Sequence, residues 1–117
     1  MKLLITGGAG FIGARLARTL LAQGQLGGRS IDELVIADQF PAPADLAGHA
    51  KVKVLTGPLL DQCAGFSSAN FDGVFHLASA VSGECEADFE LGLRSNLDST
   101  RALLDALRRG NSAPRVV

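Results

Sequence analysis

The 117 residues predict an α/β fold on a doubly wound parallel sheet, from three observations. Short apolar runs alternate with segments of helical periodicity, the pattern of strands joined by crossover helices. The runs are apolar throughout rather than every second residue, as strands covered on both faces are. Right-handed crossovers then favour a strand order of 3-2-1-4, with a fifth strand begun at the end of the chain.

Lys2 to Thr6 reads as the first, fully buried strand. From Phe11 to Gln23, Ile12, Leu16 and Leu20 recur every four positions and Ala17 and Leu21 widen the stripe, as on the core face of a helix that Gly24 ends. The polar, glycine-rich "QLGGRSIDE" leads to a second strand, "LVIAD". "VKVLTG", near Lys51 to Gly57, gives a third, a short helix is expected around Leu60 to Ser68, and "GVFHLA", Gly73 to Ala78, gives the fourth. A long helix from about Glu86 to Arg109 should come next, with Leu93, Leu97, Thr100, Leu104 and Leu107 facing the core. Arg108 and Arg109 suit its C-terminal dipole and Gly110 a left-handed cap. "PRVV" opens the fifth strand, so residues 1–117 are expected to be one domain of a truncated or partly described chain.

Composition narrows the classes. At 47% hydrophobic, 20% charged and net charge −1, the chain can bury a core and is not a disordered segment. No apolar run approaches the roughly 20 residues of a membrane span, and Lys2 runs into glycines and Arg15 where a signal peptide would be apolar. A cytoplasmic protein with no membrane partner is expected. Cys63 and Cys85, 22 apart with only His49 and His76 to join them, do not form a metal-site spacing and read as reduced thiols. Basic residues are spread along the chain without interleaved aromatics, so no nucleic-acid partner is expected.

The stretch "TGGAGFIG", Thr6 to Gly13, lies between the first strand and the first helix. Two glycine frames overlap there, Gly8, Gly10, Gly13 and Gly7, Gly10, Gly13, and the sequence does not choose between them. Either makes a tight turn whose N–H groups can approach a dinucleotide pyrophosphate at a helix N-terminus, as in a Rossmann-type sheet. Asp38 closes the second strand 25 residues after Gly13, where a carboxylate can hold an adenosine ribose. It would repel a 2′-phosphate, and Gln39, Phe40 and Pro41 offer no arginine, so NAD is expected over NADP. His76, inside the fourth strand, reads as a hydrogen-bonded core residue.

With "TGGAGFIG", the acid of "LVIAD", "GPLLD", "VFHLAS" and "SNLDSTRALLDALR" in this order over essentially the whole chain, the sequence resembles the extended short-chain dehydrogenase/reductases of the NAD-dependent epimerase/dehydratase group. "HLASAVSGECEADFELGLRSNLDSTRALLDA" is similar to a branch that oxidises a four-carbon sugar acid with NAD. The resemblance implies that Gly7, Gly10 and Gly13 form the pyrophosphate turn, that Phe11 and Ile12 donate backbone N–H groups there, and that Asp38 holds the ribose. It places Leu60 and Asp61 at the adenine, although Pro58 stands where relatives carry a polar residue and leaves Asp61 open to reading as a helix N-cap. Leu77, Ala78 and Ser79 would line the nicotinamide-side ribose, Ser82 would lie near substrate, and Asn96 would support the active-site hydrogen bonds. The family's catalytic Tyr and Lys are expected beyond Val117, since the chain has no tyrosine and Lys51 and Lys53 lie in the third strand. The 117 residues alone should therefore be inactive. The implied enzyme is an NAD-dependent oxidoreductase acting on a secondary alcohol, with a homodimer contact through the long helix. A nucleotide-sugar epimerase or dehydratase and a non-catalytic dinucleotide sensor are the alternatives.

Overall fold

A computed structural model describes all residues from 1 to 117. Five parallel strands form the sheet: β1 (Lys2–Thr6), β4 (Glu33–Asp38), β5 (Val52–Thr56), β6 (Gly73–His76) and β7 (Arg115–Val116), in the spatial order β5-β4-β1-β6-β7. Counting only the strands of this sheet, the order is 3-2-1-4 with the fifth beside the fourth. β1 is central, with Thr6 opposite Ala37 on one side and His76 on the other.

Alternation within the strands divides the core in two. Leu3 and Ile5 of β1, with Leu34 and Ile36 of β4, face Ala14, Ala17 and Leu20 of α1 (Phe11–Gln23) and Leu46 of α2 (Ala44–Ala47). Leu4, Val35, Ala37 and Val74 face the other way, onto Cys63 and Phe66 of α3 (Leu59–Phe66) and Leu103, Ala106 and Leu107 of α6 (Ser99–Arg109). Both faces are covered, which is why the strands read as unbroken apolar runs. Gly24 ends α1 as expected, in a left-handed conformation at φ 67° with its N–H donating to the Leu20 carbonyl.

Several expectations need correction. The polar connection after α1 contains a small antiparallel hairpin, β2 (Gln25–Leu26) with β3 (Arg29–Ser30), and α2 has too short a pattern to show in the sequence. β6 ends at His76, two residues early; Leu77 N–H makes one more bond to β1, and the backbone then turns beside Gly7 at Ala78. The long helix is in pieces: α4 (Ser82–Ala87), α5 (Phe89–Gly92), a π-helical segment (Leu93–Asp98) and α6. Asp88 adopts an extended conformation between the first two and caps α5, its carboxylate accepting from the Leu91 N–H. The wider π turn rotates the faces of the helix around it, so Ser99 and Leu103 are buried while Leu97 is 59% exposed and Leu104 47%. Gly110 is extended rather than left-handed; its lack of a side chain serves the close approach of the Ser67 carbonyl, which an added Cβ would meet at 2.8 Å.

Candidate functional site

The sequence-predicted residues collect at the C-terminal end of the sheet, where open parallel sheets hold ligands. The turn from β1 to α1 is the best defined part. Gly7 is left-handed at φ 69°, and a Cβ there would lie 2.8 Å from the Ala78 nitrogen. A Cβ on Gly8 would lie 2.7 Å from Ile36 Cγ2, and one on Gly13 2.2 Å from the Gly7 carbonyl oxygen. Both glycine frames are therefore occupied: Gly7, Gly8 and Gly13 are each required by the packing of the turn, α1 and the sheet.

Gly10 is different. It is the N-cap of α1 at φ −71°, a conformation open to any residue, and a Cβ would meet only the Gly7 carbonyl oxygen at 3.4 Å. Nothing within the chain demands a glycine here. The space beside it is where the N–H groups of Phe11, Ile12 and Gly13 emerge, since the first intrahelical bond is Ala14 N–H to the Gly10 carbonyl. No acidic residue stands in the first turn of α1, so the positive end of its dipole is uncompensated. Ile12, expected on the core stripe, is 68% exposed and flanks this cradle with exposed Phe11.

Asp38, at the end of β4, is fixed by the same turn. One carboxylate oxygen accepts from the Ala9 N–H at 2.9 Å and the other from the Phe40 N–H at 3.0 Å. Each oxygen keeps a free lone pair, enough for a ribose diol. The Asp38 carbonyl accepts from the Gly57 N–H, which brings the start of α3 alongside. Leu60 and Asp61 are exposed there. The N-cap position belongs to Pro58, so Asp61, third in the helix, is not the cap that its sequence neighbourhood allowed. Gln62 holds this corner by donating to the Gly57 and Leu55 carbonyls.

On the other side, Leu77, Ala78 and Ser79 come directly after β6. Leu77 N–H continues the sheet to the Thr6 carbonyl, and Ala78 N–H turns to the Thr6 hydroxyl at 3.3 Å. Asn96, in the π segment, grips Ala80: its Oδ1 accepts from the Ala80 N–H at 2.7 Å and its Nδ2 donates to the Ala80 carbonyl at 3.0 Å. Cys85 Sγ packs against Nδ2 at 3.6 Å, and Gly92 lies close beside it, where an added Cβ would meet Sγ at 3.0 Å. Ser82, exposed, begins α4 just past this clamp. His76 is hydrogen-bonded, as expected, but half-buried at the end of β6 rather than in the core, with Nδ1 2.7 Å from the Thr6 hydroxyl and Nε2 2.8 Å from that of Thr100; the partial burial lowers its pKa below the ordinary 6.5.

Sequence reasoning missed Thr6, Ala9 and Thr100. Thr6 left a signal, being a hydroxyl in an otherwise apolar buried strand and so bound to need partners; Ala9 acts only through its backbone and left none. Two open depressions are also present: one of about 420 Å³ has Lys2, Asp32, Glu33, Lys51 and Lys53 on its walls, and one of about 340 Å³ runs between β5 and α3, with Asp61 and Gln62 of the first turn of α3 on its wall.

Residues 3–117 match the model of the NAD-dependent epimerase/dehydratase family. The chain belongs to that family. Among curated relatives in the family, D-erythronate dehydrogenase of Cupriavidus necator is 47% identical over the whole chain, which covers 37% of that protein. A crystal structure described as the nucleoside-diphosphate-sugar epimerase from Agrobacterium tumefaciens superposes with a TM-score of 0.84 at 37% identity, over 99% of this chain and 36% of that one. The dTDP-glucose 4,6-dehydratase DesIV of Streptomyces venezuelae, solved with NAD bound, gives 0.83 at 26% identity, over 99% of this chain and 38% of that one. The chain thus spans little more than a third of the length of these epimerase/dehydratase relatives. No helix of the structure is long and apolar enough to cross a membrane.

Proposed function

We propose that this chain is the cofactor-binding part of an NAD-dependent dehydrogenase that oxidises a secondary alcohol of a four-carbon sugar acid resembling D-erythronate. The observation that carries the NAD reading is Gly10. The fold leaves it free to be any residue, yet it faces three helix N–H groups that have no protein acceptor, an arrangement suited to a pyrophosphate. NAD, when bound, supplies the hydride acceptor; the protein binds and orients it.

In this reading Gly7, Gly10 and Gly13 shape the turn, and Phe11 and Ile12 N–H groups receive the phosphates. Asp38 accepts from the adenosine ribose and disfavours a 2′-phosphate. Leu60 and Asp61 border the adenine, and Leu77, Ala78 and Ser79 border the second ribose. Ser82 offers a hydroxyl to substrate, and Asn96 fixes the Ala80 backbone that leads to it. The exposed pair Leu97 and Leu104, seven residues apart, supports a helix-to-helix contact with a second copy.

The 47% identity to D-erythronate dehydrogenase supports the sugar-acid substrate. The likeness to a nucleoside-diphosphate-sugar epimerase favours the second reading. Incubating the protein, in its full-length form, with NAD and either D-erythronate or a panel of nucleotide sugars separates them. NADH accumulating with D-erythronate supports the proposal; a nucleotide sugar converted without net NADH, with tetronates untouched, favours the epimerase.

A further inference from the structure

We propose that His76 is a positioning residue for the cofactor, setting the Leu77–Ser79 turn through a partly buried chain of hydrogen bonds that begins on α6. The inference rests on the NAD reading above.

Four groups lie in a row. Ala78 N–H donates to the Thr6 hydroxyl oxygen, that hydroxyl lies 2.7 Å from His76 Nδ1, and Nε2 lies 2.8 Å from the Thr100 hydroxyl. Thr6 is fully buried, and Nδ1 is the acceptor within reach of its proton. A proton on Nδ1 would leave the Thr6 hydroxyl hydrogen without a partner, which costs about 1–3 kcal/mol. The chain therefore runs one way: Ala78 N–H to Thr6 Oγ1, Thr6 O–H to Nδ1, and Nε2–H to Thr100 Oγ1. The imidazole is neutral and in a single tautomer.

Ala78 is where this order meets the cofactor site. Its nitrogen lies against Gly7, so the turn after β6 and the glycine turn after β1 share one contact. Thr100 belongs to α6, on the far side of the imidazole from both. Removing its hydroxyl leaves Nε2–H unpaired, frees the ring to turn, and loosens the Thr6 hydroxyl that holds Ala78.

The test pairs Thr100→Val, which keeps the shape, with Thr100→Ser, which keeps the hydroxyl. NAD affinity is measured by calorimetry in the full-length protein well below its unfolding temperature, and the His76 ring is followed by ¹⁵N NMR. The expected result is a loss of affinity of about three- to tenfold in Thr100→Val, near-complete recovery in Thr100→Ser, and an Nε2–H tautomer in the wild type whose signals move on NAD saturation. A folded Thr100→Val protein that binds NAD as tightly as wild type, or an Nδ1–H tautomer, overturns the proposal. If Thr100→Val does not fold, the wild-type ring decides, and signals unmoved by NAD overturn it. A wild type that binds no NAD fails the cofactor reading itself and this inference with it.

Discussion

The two turns that build the candidate site are held in opposite ways. After β1, the turn from Thr6 to Gly13 is fixed by backbone touching backbone: an added Cβ at Gly7 or Gly13 meets main-chain atoms at 2.8 or 2.2 Å. After β6, the stretch from Leu77 through the π segment is largely exposed, broken into short helices, and held by side chains, with Asn96 on Ala80 and the His76 chain on Ala78. The first region leaves no room for a side chain at Gly7 or Gly13. The second depends on a few hydrogen bonds, each of which a single substitution can remove.

The largest effect should come from breaking the rigid turn. Gly13→Ala drives a methyl group into the Gly7 carbonyl, with no flexible atom to yield. Overpacking typically costs about 1–3 kcal/mol, and this contact belongs at or beyond the upper end. Urea unfolding should show a clear drop in midpoint, and NAD binding should disappear with it.

Next is Asp38→Ala, which takes the carboxylate from the proposed ribose position and also from the Ala9 and Phe40 N–H groups. Hydrogen bonds to charged groups contribute about 1.5–3 kcal/mol, so NAD affinity should fall roughly tenfold to a hundredfold. NADP, whose 2′-phosphate the carboxylate is proposed to repel in the wild type, should lose far less. A calorimetric comparison of both cofactors checks this, and a wild type binding NADP as well as NAD would remove Asp38 as the selector.

On the looser side, Asn96→Ala should cost only about 1 kcal/mol of stability, because the Ala80 groups it frees are near solvent. Its effect should fall on the substrate side, lowering turnover in the full-length protein more than it weakens NAD binding. Equal losses in both would mean that the two turns are not separable.

The smallest effect is a pH dependence. Burial lowers the His76 pKa below its usual 6.5, so the unfolded chain takes up that proton first. Its contribution to stability is full above about pH 6.5 and is lost as the pH falls from there to the folded-state value. Urea midpoints tracked downward from pH 7 should fall more steeply for the wild type than for His76→Gln.

The same contrast explains what is legible in the sequence. Strand order, the extent of α1, the Gly24 cap and the glycine turn are encoded in apolar runs, four-residue spacing and glycines, all local signals. The π segment is not, because one extra residue per turn leaves no mark in a pattern that reads equally well as continuous helix. Leu97 and Leu104 fall on the wrong face of the expected helix for that reason. Ile12 fits the core stripe by spacing alone, since a ligand-facing apolar residue at a helix start looks like any other. The glycine frame is ambiguous in sequence because three of the glycines in the turn are needed by packing and only Gly10 is not.

Gly10→Ser tests the central claim most directly. Serine is at least as good an N-cap as glycine, its Cβ has room, and its hydroxyl would bond to the first-turn N–H groups that the pyrophosphate is proposed to use. Measured together by thermal unfolding and NAD titration, the variant should be as stable as the wild type or slightly more so, and should bind NAD at least about tenfold more weakly. Unchanged NAD affinity in a stable Gly10→Ser protein would contradict the account, because the one glycine the fold does not require would then have no ligand to explain it.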